Sequence, residues 1–166
     1  MRKIGQIFRF LIPIIALAAL VVFVAGLGRR GRMTKKAFVA AYDRMEEAWN
    51  RVNVDAIDEF MAPDCVIHAP PNPDIVGREA YKKYIRDTRI GYSDFKLNEY
   101  EYILDGNMGA TQWTLGATQK DTGKQVSIIG SCVTKWVDGK CVEYWMYVDN
   151  LGLMLQLGFK LVPPEK

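Results

Sequence analysis

The chain has 166 residues, 49% hydrophobic and 25% charged, with a formal net charge of +3. This length and composition describe one globular domain and exclude a collagen, a disordered tail or a disulfide-dense mini-protein. The charge is uneven: residues 1–32 hold six Lys/Arg and no acid, while the rest holds sixteen Lys/Arg against nineteen Asp/Glu, a mildly acidic body with no electrostatic footprint for nucleic acid.

Phe10 to Gly28 is an uncharged run of 19 residues. As a helix it comes close to the hydrocarbon thickness of a bilayer. Residues 1–32 therefore read as a single-pass membrane anchor with its span at 10–28. A cleaved signal peptide is the rival reading. Its core is usually shorter, and Gly26-Leu-Gly28 would have to serve as the cleavage site with Arg29 and Arg30 directly behind it. Five basic residues after the run against three before it place the body on the cytoplasmic side. Cys65, Cys132 and Cys141 are odd in number and widely spaced, which suits a reducing compartment, and each also reads as a small buried hydrophobe. Gly26-x-Gly28-x-x-Gly31 has dinucleotide-fingerprint spacing but follows an apolar span and not a strand, so it carries no weight.

The spacing of Phe38, Ala41, Tyr42, Met45, Ala48, Trp49 and Val52 predicts a helix over 34–52, with Thr34 as its cap. Val54, Ile57, Phe60 and Met61 predict a short second helix ended by Pro63. Cys65–His68 reads as a brief extended piece, and Ala69–Asp74, with three prolines, as a rigid loop. A third helix follows Gly77, with Tyr81, Tyr84, Ile85 and Thr88 on one face. Then the period changes to two. Four long strands are predicted over 95–104, 109–120, 125–136 and 140–149, with hairpin turns at Asp105-Gly-Asn107, Asp121-Thr-Gly123 and Asp138-Gly139. Asn150–Phe159 is a short apolar coda. Helices before antiparallel strands imply an α+β domain.

Several motifs in this order resemble a known family. They are Trp49-Asn50 with Val54-Asp55-Ala56, Ala62-Pro63-Asp64 leading to His68, and Val76-Gly77-Arg78-Glu79-Ala80-Tyr81. Trp113-Thr114, Asp138-Gly139-Lys140, Glu143-x-Trp145-x-x-x-Asp149 and Gly152-Leu153 to Gln156-Leu157-Gly158 complete the set. Together they resemble the SnoaL-like polyketide cyclase branch of the nuclear transport factor 2-like (ketosteroid-isomerase-like) superfamily, over about residues 37–158. The resemblance implies a cone of three N-terminal helices on a curved antiparallel sheet, here as a domain over 33–160 followed by a tail over 161–166. It implies no cofactor, and self-association through the outer sheet face, where Val142, Tyr144, Met146 and Val148 would supply contact or else pack against the chain's own helices; one histidine and scattered cysteines offer no zinc site.

Alternation places Glu143, Trp145, Tyr147 and Asp149 on one strand face. The resemblance puts that face inside the cone and makes Asp149 the general acid/base, its pKa raised by apolar walls. His68, the only histidine, would then assist as a proton relay. Trp145, Tyr147, Trp113, Glu143 and Tyr84 would line the pocket. Structural alternatives stand beside these roles: Asp149 as the N-cap of Asn150–Leu157, His68 as a loop residue bonded to backbone, and Glu143 paired with Lys135 or Lys140. Limonene-epoxide hydrolases share this fold and use an Arg-x-Asp step, which this chain lacks. The turn 118–124 is also shorter than the excursion usual in this branch, leaving a more open pocket.

Two functions follow. One is a membrane-anchored, cofactor-independent isomerase, cyclase or dehydratase that shuttles a proton on an apolar carbonyl compound. The other is a non-catalytic accessory or scaffold subunit of a membrane complex on the same fold.

Overall fold

The computed structural model describes residues 32–162. The basic-flanked apolar run at 10–28 lies outside them. Among the described residues no helix is long and apolar enough to cross a membrane.

Helix α1, Lys35–Arg51, forms where the three-and-four spacing predicts it. Thr34 caps it, its hydroxyl accepting the Ala37 N–H at 3.2 Å. The buried face is Phe38, Ala41, Tyr42, Met45, Ala48 and Trp49. Val52 ends the helix in the left-handed region and is exposed. The predicted second helix is a single 3₁₀ segment, Val54–Glu59, and Pro63 does not end it. The chain passes directly into strand β1, Met61–His68. Pro63 falls inside an irregularity of register between Met61 and Val66, where its missing N–H costs no ladder bond. Strand β2, Ile75–Val76, precedes helix α2, Arg78–Ile90. Lys82 clasps α2 to the 3₁₀ segment through Asp55 at 2.9 Å and Asp58 at 2.7 Å.

Strands β3 (Tyr92–Asp105), β4 (Met108–Gln119), β5 (Gln125–Val137) and β6 (Lys140–Val148) follow as an antiparallel meander. Asp138 and Gly139 both have positive φ, as a two-residue hairpin turn requires. The sheet has six strands in the order β2-β1-β6-β5-β4-β3, and β1 runs parallel to β6. It is therefore a curved mixed sheet, where a wholly antiparallel one was expected. The predicted coda is partly helical: α3 spans Asn150–Gln156. The helices cover one face of the sheet, and that face fixes which side chains of each strand turn inward.

Candidate active site

Phe95, Leu97 and Glu99 occupy alternate positions of β3 and share its inner face. A register break between Tyr100 and Ile103, with Glu101 at φ 57°, shifts the alternation so that Tyr102 packs inward beyond it. Trp113 lies opposite Glu99 on β4 and opposite Gly130 on β5. A Cβ at position 130 would stand 2.0 Å from Trp113 Cζ2, so glycine there lets the indole cross the neighbouring strand. Asn50 anchors α1 to β3: its amide donates to the Leu97 carbonyl at 2.9 Å, and its side-chain oxygen accepts the Leu97 N–H at 2.7 Å. That bond places Trp49 parallel to the Phe95 ring at 5.7 Å.

These elements enclose a cavity of about 150 Å³. Trp49 of α1, with Tyr84 and Thr88 of α2, forms one side. Glu99, Trp113, Ile128, Tyr144 and Met146 form the sheet side, and Asn150 and Leu153 of α3 close the rim. The walls are mainly apolar, with a few convergent polar groups, as small-molecule sites are. The volume suits one ring or a short chain.

Glu99 is the group that stands out. It is only 6% exposed, and neither carboxyl oxygen has a hydrogen-bond partner among the described residues. Burial pushes its pKa well above the usual carboxylate value, and the charges of Glu46 and Asp43 on α1 push it further. Tyr144, also buried, is the second polar group. Burial raises its phenol well above its ordinary value, and Cys132, Tyr81, Tyr42 and Glu99 add to the effect. The phenol therefore stays neutral and can donate. Its oxygen lies 2.7 Å from Cys132 Sγ, a contact in which the thiol can donate and leave the phenol hydrogen free; Cys132 Sγ accepts the Trp113 indole N–H at 3.2 Å. Burial holds the Cys132 thiol up at about 12, so it is no nucleophile. All three cysteines are buried and free.

The expected pocket residues divide between two places. Trp113 and Tyr84 line the cavity. Glu143, Trp145 and Tyr147 do not. The alternation along β6 is as expected, but the inward set is Tyr144, Met146 and Val148, the set assigned to the outer face. The reason is packing: the helices lie on this side, so the more apolar row turns toward them. An irregularity between Lys135 and Trp136 on β5 also turns Cys141 inward. Tyr147 is 49% exposed on the outer face.

Asp149 is exposed at the end of β6 and caps α3, its carboxylate accepting the Gly152 N–H at 2.8 Å. His68 belongs to an outer-face cluster. Its ring stacks on Trp145 at 5.3 Å. Nδ1 lies 2.9 Å from Asp74 Oδ1 and Nε2 lies 3.6 Å from Glu143 Oε1. A carboxylate only accepts, so Nδ1 carries the proton shared with Asp74. Glu143 also pairs with Lys135 at 3.3 Å. Asp149 is thus held by a structural partner and His68 by one through Nδ1, its Nε2 being buried without a hydrogen-bond partner among the described residues; neither is among the residues lining the cavity. Among the described residues no group of three His, Cys, Asp or Glu side chains could hold a metal ion.

Glu99 is the residue that reading the sequence misses. Asn98-Glu99-Tyr100-Glu101 looks like a solvated strand segment. The available signal is that Glu99 follows Phe95 and Leu97 at steps of two.

A family model for SnoaL-like polyketide cyclases matches residues 39–157. Solved structures share the nuclear transport factor 2-like fold. TsrD from Streptomyces laurentii aligns with a TM-score of 0.70 at 20% identity, over 76% of this chain and 98% of its own. A candidate polyketide cyclase from Acidithiobacillus ferrooxidans aligns with a TM-score of 0.66 at 26% identity, over 75% and 96%. IdmH, a candidate polyketide cyclase from Streptomyces antibioticus, aligns with a TM-score of 0.63 at 24% identity, over 72% and 96%. Curated proteins give no match.

Proposed function

The chain belongs to the SnoaL-like polyketide cyclase family, and on that premise we propose that it is a cofactor-independent acid/base enzyme acting on a small apolar carbonyl compound. The observation that carries this reading is Glu99, a buried carboxyl with both oxygens unpartnered in an apolar cavity. Such a group is costly to keep and has a pKa displaced toward the working range of a proton shuttle. In its ionised form Glu99 removes a proton from the carbon next to the carbonyl. The neutral Tyr144 phenol donates to the carbonyl oxygen as negative charge develops there. Glu99 then returns the proton to a different atom of the same molecule, so the net change is an isomerisation, or the enolate step of a ring closure or dehydration. Nothing is oxidised or reduced.

The test needs no knowledge of the natural substrate. Acetophenone carries exchangeable protons beside a carbonyl and suits a cavity of about 150 Å³. In heavy water the wild-type protein is expected to speed hydron exchange at its methyl group. Glu99→Gln is expected to lower that acceleration by about 100-fold or more, the usual contribution of a positioned acid/base. Undiminished exchange in the variant contradicts the proposal.

We also propose that the run Phe10–Gly28 tethers this domain to a bilayer, the body facing the cytoplasm. Its length, lack of charge and basic flanks support the tether. The accessory-subunit reading has one observation in its favour: the outer sheet face exposes Ile103, Ile129 and Tyr147. A face of that kind suits a second copy of the chain or another protein.

A further inference from the structure

Helix α3 supplies part of the cavity wall, yet none of its residues is buried. Its apolar hold on the core is limited to the partly buried Leu153, with Leu157 just beyond its last turn. Polar clasps do the rest. Asp149 caps its first turn, and the Asn150 amide donates to the Pro70 carbonyl at 3.3 Å. At the far end the Gln156 side chain bonds twice to one residue of β5. Its oxygen accepts the Ser127 N–H at 2.7 Å, and its nitrogen donates to the Ser127 carbonyl at 2.9 Å. This pairing has a structural reason. Strand β6 stops at Val148, opposite Gly130, so the edge of β5 before Gly130 has no strand partner on that side. The Gln156 amide takes the place of the missing strand. Lys124 completes the clasp by donating to the Leu157 carbonyl.

Every one of these clasps is solvent-accessible, so water replaces them when they break. The element can leave without opening the core. It contributes Asn150 and Leu153 to the cavity, and Leu153 is the apolar one.

We propose that α3 is the lid of the cavity, that Leu153 determines which carbonyl compounds fit by limiting their length, and that Gln156 is the positioning residue that latches the lid. This rests on the reading that the cavity is the ligand site. The ligand class that follows is a single-ring or short-chain ketone, with fused-ring ketones excluded by the Leu153 side chain.

The test uses full-length protein in mild detergent and two probes, acetophenone and the larger 2-acetylnaphthalene. Aryl ketones quench tryptophan, and Trp49 and Trp113 line the cavity, so fluorescence reports binding. The wild type is expected to prefer acetophenone. Leu153→Ala is expected to move the ratio of the two dissociation constants about tenfold toward the naphthyl ketone, the effect of a few methylenes in an apolar pocket. Leu153→Phe is expected to weaken acetophenone binding, and it preserves the test if the alanine variant folds poorly. Gln156→Ala is expected to raise both association and dissociation rates about tenfold, matching the loss of its two exposed hydrogen bonds to Ser127, with the size preference unchanged. Unchanged ratios in both Leu153 variants would overturn the specificity role. Unchanged rates in Gln156→Ala would overturn the latch. If neither ketone quenches the wild type, the cavity reading itself fails, and the lid with it.

Discussion

Glu99 is the single side chain on which the proposed chemistry rests. A carboxyl left without hydrogen bonds in an apolar wall destabilises the fold once it ionises. Its folded pKa lies above its unfolded value, so the folded state binds the proton more tightly. The stability contributed by that proton is fully present below the unfolded pKa of about 4.3 and is lost as pH rises through the folded one. Glu99→Gln removes this dependence. Its melting temperature is therefore expected to match the wild type near pH 4 and to exceed it increasingly at higher pH. Each unit of upward displacement corresponds to about 1.4 kcal/mol once the group is ionised. Calorimetry of both proteins across pH checks this, and a gap that does not change with pH contradicts it. Asp149 and His68 illustrate the converse. Both have the right chemistry by type, and both already have partners: Gly152 for one, Asp74 and Trp145 for the other.

At the scale of elements, what the sequence announces is period, and what it withholds is direction. Helix α1 was legible in full because apolar residues recur at three and four and Thr34 precedes them. The tight hairpins were legible because Asp138 and Gly139 accept positive φ. Strand β6 was legible as an alternation, but both of its rows carry aromatics, so the pattern alone did not say which row faces the helices. That choice is made by what packs on the sheet. Only the second half of strand β1 was legible, as the extended piece Cys65–His68; its first half was hidden by Pro63, which read as the end of a helix until the register break in the ladder accommodates it. The Trp113–Gly130 pair is likewise a property of register, invisible before β4 and β5 are aligned. Gly130→Ala places a methyl group into the Trp113 indole, 2.0 Å from its Cζ2. It is expected to cost about 1–3 kcal/mol, as overpacking does. Urea unfolding measures it, and a neutral result would mean that Trp113 has room to move.

At the scale of the whole molecule, the α+β class and the family were legible because many weak motifs occur in order over most of the chain. The position of the buried cavity carboxyl was not, since a family pattern carries Asp149 and only the three-dimensional cavity singles out Glu99. The proposed tether is a separate matter of sequence, inferred from length and charge over residues 1–32. The full chain is expected to remain with membranes through a carbonate wash, and a chain beginning at Met33 to stay in the soluble fraction. Starting at Met33 keeps a residue that is buried in the core. Release of the full chain by the wash contradicts the anchor.

The most direct measurement compares Glu99→Gln with Asp149→Asn in the acetophenone exchange assay, at the same pD and with folding verified for both. If the chemistry belongs to the concave cavity, Glu99→Gln loses the acceleration and Asp149→Asn keeps most of it, beyond any loss from a weakened α3 cap. If Asp149→Asn abolishes exchange while Glu99→Gln retains it, the proton is carried at the end of β6 and the role assigned to Glu99 is wrong.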